Sequence, residues 1–173
     1  FELVGDAKEA SRWKAAYAEY RNRIRENYRT AESPLFLDQP ASRTPRVMPS
    51  CLGQVLALYY EIAEPGDAGP LLDFITETIR RNAVVPHPAR MKDFHFSPYS
   101  SFYLLDVLFR HGRDGEAVAY IRSEWQRMLD GGAWTCWEFF VPSHSLCHAW
   151  AASPGWYLSA YTLGLRLEGN GDP

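Results

Sequence analysis

Six apolar-periodic segments follow one another along the chain, and they alternate between two kinds. The first (about Asp6 to Arg29) carries Trp13, Ala16, Tyr17, Tyr20 and Ile24 at helical spacing among many charges. The third (about Ala68 to Asn82) sets Leu71, Leu72, Ile75 and Ile79 on one face. The fifth (about Asp114 to Leu129) does the same with Ala117, Ile121, Trp125 and Met128. These three are amphipathic helices with one charged face. The second (about Pro49 to Ala63), fourth (about Pro98 to His111) and sixth (about Ser145 to Leu167) are apolar almost all round, as expected of helices buried on most sides. Pro154 either kinks the sixth or starts it afresh.

The connections alternate too. Glu64-Pro65-Gly66-Asp67 and Gly112-Arg113 are tight turns, whereas Thr30–Met48, Asn82–Ser97 and Asp130–His144 are long loops. Each long loop leads into an apolar helix, so all three crowd one end. Loops of that length are usually functional or disordered. The pattern predicts an all-α fold of helical hairpins, with outer helices facing water and inner helices buried. An (α/α)6 toroid has this arithmetic, and six helices would be about half of one. A solenoid or an irregular bundle is the simpler alternative.

Composition narrows the partners. The 173 residues are 46% hydrophobic and 23% charged, an ordinary globular balance that fits a single helical domain over 1–173. A formal net charge of −3 without a basic stripe argues against nucleic acid. No apolar run approaches the roughly 18 residues needed to cross a bilayer, so no membrane span is expected. The three cysteines, Cys51, Cys136 and Cys147, are an odd count without a CxxC pair. That makes a disulfide framework and a zinc site unexpected, and it leans towards a reducing, cytoplasmic setting without fixing the compartment. The chain opens Phe1-Glu2-Leu3-Val4, with no Met and no signal-peptide pattern, and is read as a piece of something longer. No cofactor is expected.

Chemistry concentrates in the third long loop, where Glu138 stands among Trp134, Trp137, Phe139 and Phe140. An apolar wall disfavours the charged form of a carboxylate and tunes it for proton transfer. A Glu reaching solvent beside packed rings, or capping a helix, is the plainer reading. His144 and His148 lie four apart, but SHSLCH offers no Glu and no third ligand is near, so a metal is not expected. A histidine hydrogen-bonded to a substrate hydroxyl, or one satisfied in the core, suits them better. Tyr99, Phe96 and Trp150 either line a pocket or fill the core, and core volume is the first use of such rings.

These residues resemble a family. Trp134-Thr-Cys-Trp-Glu138, then Ser145-Leu-Cys-His-Ala-Trp150, Ser153-Pro-Gly-Trp-Tyr-Leu158 and Leu163-Gly164-Leu165, are similar to the closing pattern of bacterial α-L-rhamnosidase glycoside hydrolases, six-hairpin glycosidases. The run from Ser97 to Leu105 looks like the start of one of that family's inner helices. The resemblance implies the C-terminal half of an (α/α)6 catalytic barrel that hydrolyses terminal α-L-rhamnosyl bonds with inversion. It implies that Glu138 is the general base and that His148 contacts the sugar. Trp137, Trp134, Tyr99 and His144 join them as candidate substrate-binding residues. Inversion needs a second carboxyl roughly 6.5–9.5 Å away. The family's acid motif is absent from this chain, and Asp93, beside Phe94 and His95, is the only loop acid in comparable surroundings. The acid is therefore expected from a missing N-terminal half, and the isolated chain is expected to be inactive.

Two other readings compete. Another six-hairpin glycosidase, such as an unsaturated glucuronyl hydrolase, would want Arg or Lys near the sugar, and Ala133–Ala152 has neither. A non-catalytic helical domain that binds carbohydrate or protein would need no acid. The apolar inner-helix flanks of a half-barrel are expected to pack against the rest of a parent protein or a second copy.

Overall fold

A computed structural model describes residues 4–42, 49–83 and 96–165, with only the backbone of Asn82 and Ala83. Asp93, Phe94 and His95 lie outside these residues. The fold is all-α, as expected, with no strand among the described residues, and it is consistent with part of a helical toroid. Its helices are α1 (Ala7–Tyr28), α2 (Cys51–Tyr59), α3 (Ala68–Ala83), α4 (Ser101–Arg110), α5 (Asp114–Asp130) and α6 (Ser153–Tyr157). Contacts divide the chain into two compact units, 1–71 and 72–173.

In the first unit, Asp6 caps α1 by accepting from the Glu9 N–H at 3.0 Å, one of the free donors of the first turn. Ser50 caps α2 through the Gly53 N–H. The buried Gln54 is the main polar link. Its amide accepts from Phe36 N–H and donates to Phe36 C=O, both at 2.8 Å, so it ties the loop after α1 to α2 with neither buried polar atom left unmet. Arg29 completes the junction, lying over the Phe36 ring and pairing with Asp67 at 2.8 Å. The stripe expected to pack on α1 does not: no α1 residue is buried, and Trp13, Tyr17 and Tyr20 are exposed. Periodicity shows which residues share a face, not whether anything covers it.

The second unit holds a continuous core. Leu104, Leu105, Val107, Leu108 and Phe109 of α4 are buried against surroundings that include Ala117, Tyr120 and Tyr157. Each fully buried leucine contributes about 1.5–3 kcal/mol relative to exposure. Polar ties cross this core. Ser101 and Tyr120 share a hydrogen bond of 2.7 Å, and Tyr157 donates to Phe102 C=O at 3.0 Å. Phe109 stacks on Tyr157 and Tyr161.

α4 and α5 each end in a Schellman motif. After α4, Arg113 N–H reaches Leu108 C=O and Gly112 N–H reaches Phe109 C=O. After α5, Ala133 N–H reaches Met128 C=O and Gly132 N–H reaches Leu129 C=O, with Gly132 at φ 84°. Glycine suits that left-handed position because it has no Cβ to clash.

The sixth segment departs from expectation. No helix starts at Ser145. A 3-10 turn spans Ala149–Ala152, α6 begins with Pro154 in its first turn, and a π turn follows over Leu158–Thr162. Proline fits the first helical turn, where its missing N–H costs nothing, and it starts the helix afresh there. Burial departs too: Tyr157 and Ala160 are buried, but Trp156, Leu163 and Leu165 are exposed. Among the described residues no helix is long and apolar enough to cross a membrane.

Candidate active site

The loop after α5 folds back on itself as two arms, and three hydrogen bonds hold them together. Glu138 N–H donates to Ser145 C=O at 3.0 Å, and His148 N–H donates to Cys136 C=O at 2.8 Å. The Thr135 hydroxyl donates to Leu146 C=O. Two residues advance the first arm from Cys136 to Glu138, whereas three advance the second from Ser145 to His148. The second arm thus carries one extra residue, in the manner of a β-bulge. His148 has an extended backbone, φ −128° and ψ 113°.

This fold-back brings two predicted site residues together. His148 Nδ1 lies 3.7 Å from Glu138 Oε2, and the two side chains are 22% and 33% exposed. Glu138 Oε2 also accepts from Ser145 N–H at 3.3 Å. His148 Nδ1 is buried and has no hydrogen-bond partner among the described residues. Its ring lies against Trp150, centroids 4.2 Å apart and planes 36° apart. Trp150 in turn meets Tyr99 edge-on at 5.6 Å, and Tyr99 meets Tyr103 edge-on at 6.0 Å. A carboxylate and an imidazole therefore stand at one end of a row of aromatic rings.

The row is held firmly. Trp125 Nε1 of α5 donates to Ala151 C=O at 2.9 Å, which fixes the 3-10 turn that carries Trp150. Tyr99 stands in a turn closed by Ser97 N–H donating to Ser100 Oγ at 2.8 Å and by Ser101 Oγ donating to Ser97 C=O at 2.8 Å. Trp150 and Tyr99 are nevertheless 51% and 50% exposed, so neither is the core residue that composition favours; Phe96 is buried. Tyr103 was absent from the site expected from sequence, and Trp150 entered it only as a ring that lines a pocket or fills the core. The signals were Tyr103 four residues after Tyr99, and Trp150 two after His148.

The expected aromatic wall around Glu138 is not what forms. Trp134 is 99% exposed. Trp137 is 4% exposed and packs with Met128 and Phe140 in a cluster flanked by Trp125 and Ala133. That cluster is tight: a Cβ on Gly131 would lie 2.9 Å from Trp137 Cη2. The two tryptophans of the motif, three residues apart, thus meet opposite surroundings, and the bare Cα of Gly131 makes room for the Trp137 ring. His144, at φ 61°, sets its ring against Phe139 with centroids 5.0 Å apart. Among the described residues no three His, Cys, Asp or Glu side chains come together as a metal site would require.

No family model and no curated protein matches the chain. A solved structure does: the crystal structure of the GH78 family rhamnosidase of Bacillus sp. GL1 superposes with a TM-score of 0.67 at 25% identity, over 90% of this chain and 17% of that one. This chain thus spans about a sixth of the length of that rhamnosidase. The similarity supports a rhamnosidase-like, glycoside-hydrolase-like helical fold.

Proposed function

We propose that this chain is the C-terminal half of a six-hairpin glycosidase catalytic domain, both compact units included, and that it hydrolyses terminal α-L-rhamnosyl or related bonds with inversion. The observation that carries the reading is the Glu138–His148 pair beside an exposed aromatic row, in a chain whose fold is similar to that of a GH78 rhamnosidase. Glu138 acts as general base on the attacking water. Its Oε2 accepts from the Ser145 N–H, which leaves Oε1 to take the proton. His148 and Tyr99 contact the sugar, and Trp150 offers a ring to its apolar face. Trp134, fully open, meets the more distant part of the substrate, as does His144. Trp137 supports the loop from below and presents almost no surface to a ligand. The general acid comes from outside the described residues. The exposed α1 stripe of Trp13, Tyr17 and Tyr20 packs against the rest of a longer protein or a second copy.

The test is to assay the longer protein containing this chain on an aryl α-L-rhamnoside beside a panel of other aryl glycosides, with Glu138→Gln as control. Activity with full rate in Glu138→Gln removes Glu138 from the chemistry. Activity of the isolated chain shows that no outside acid is needed.

A further inference from the structure

We propose that Cys136 and Cys147 are a dithiol pair that closes reversibly to a disulfide and staples together the two arms that carry Glu138 and His148. The inference stands on backbone geometry and does not depend on the glycosidase reading. The peptide unit that follows each cysteine is hydrogen-bonded to the other: Cys136 C=O accepts from His148 N–H at 2.8 Å. Standard backbone dimensions then keep the two Cα atoms within roughly 7.5 Å of each other. Disulfides span Cα separations of about 4.4–6.8 Å, so even at the upper bound the arms need approach by no more than about 1 Å to close the bridge. Bonds on either side, from Thr135 to Leu146 and from Glu138 to Ser145, hold the arms in this register.

Access and electrostatics agree. Cys147 is exposed and Cys136 is partly so. Burial raises the Cys136 thiol, and the neighbouring Cys147 raises it further, as two thiols near each other do when both cannot ionise freely. Cys51 is no competitor. It is buried in the other compact unit, and burial pushes its thiol up to about 12.

A small-molecule disulfide such as oxidised glutathione serves as the oxidant. The exposed Cys147 thiolate attacks one of its sulfurs. A mixed disulfide forms at Cys147 and one glutathione thiolate leaves. Cys136, once deprotonated, attacks Cys147 Sγ and expels the second glutathione. The chain loses two protons and two electrons, and the oxidant becomes two thiols. Because burial raises the Cys136 thiol, the second step speeds up with rising pH.

The experiment treats the native wild-type chain with oxidised glutathione, alkylates the remaining thiols and maps the peptides by mass spectrometry. The expected product is a monomer lighter by two hydrogens, with Cys136 joined to Cys147 and Cys51 alkylated only after denaturation. Dithiothreitol should restore the starting mass. In Cys136→Ser the reaction should stop at a stable glutathione adduct on Cys147. The proposal is overturned if the wild-type chain also stops at that adduct, or if its disulfides involve Cys51 or a second chain.

Discussion

His148 Nδ1 lies 3.7 Å from Glu138 Oε2, buried and without a hydrogen-bond partner among the described residues. That separation is longer than a hydrogen bond. A small closure of the two arms would turn it into one, and an imidazolium there would pair with the carboxylate. Glu138→Gln keeps the shape and the acceptor for Ser145 N–H but removes the base. We expect kcat of the longer protein to fall by roughly 10²–10⁴. The thermal midpoint of the isolated chain should hardly move. Steady-state kinetics and a thermal melt check the two halves of this prediction.

The two tryptophans of the motif should behave oppositely. Trp137→Ala empties the slot between Met128, Phe140 and Gly131 and should cost about 3–5 kcal/mol in urea unfolding. Trp134→Ala touches an almost fully exposed ring and should stay within about 0.5 kcal/mol. Equal costs would contradict the geometry described for this loop.

Gly131→Ala should destabilise through overpacking, because its Cβ would meet Trp137 Cη2 at 2.9 Å. The expected cost is about 1–3 kcal/mol. Gly132→Ala meets open space but sits at φ 84°, so its cost, about 1–2 kcal/mol, is backbone strain alone. Combining Trp137→Ala with each glycine variant separates the two effects: it should relieve Gly131→Ala and leave Gly132→Ala unchanged.

Asp106 predicts a pH dependence. Burial raises its carboxyl above the ordinary 3.8, with Arg110, Tyr157 and His111 opposing the rise. The folded state therefore holds this proton more tightly than the unfolded state. Its stabilising contribution is complete below the ordinary value and is lost as the pH rises through the raised one. Asp106→Asn keeps an acceptor for Tyr157 and cannot ionise. Its thermal midpoint relative to wild type should be higher at neutral pH than in acid. A relative midpoint that does not change with pH would show that Arg110 offsets the burial fully.

Much of the fold was legible because it rests on local signals. Asp6 before α1, Gly112 after α4 and Gly132 after α5 mark helix ends through capping chemistry that involves only near neighbours. The apolar run from Ser145 onward was misread because hydrophobicity alone does not separate a buried helix from a loop whose rings pack individually. Pro154 did mark the true start of α6. At the site, the Glu138–His148 approach depends on arms seven to twelve residues apart pairing out of step. No periodicity records that. The opposite surroundings of Trp134 and Trp137 depend on a slot at Gly131 that exists only once α5 has ended.

The extra residue on the second arm also sets a rule for insertions and deletions. Side chains alternate sides along paired arms, so a one-residue offset decides which side His148 faces. Removing Leu146 or Cys147 would restore even spacing, set the histidine directly opposite Cys136 on the side of Glu138, and remove the bulge. Removing both would leave the histidine one step after Ser145 and turn the imidazole away from Glu138. The length of this short arm works as a phase setting, and a change of length between Phe139 and His144, outside the paired residues, leaves that phase untouched.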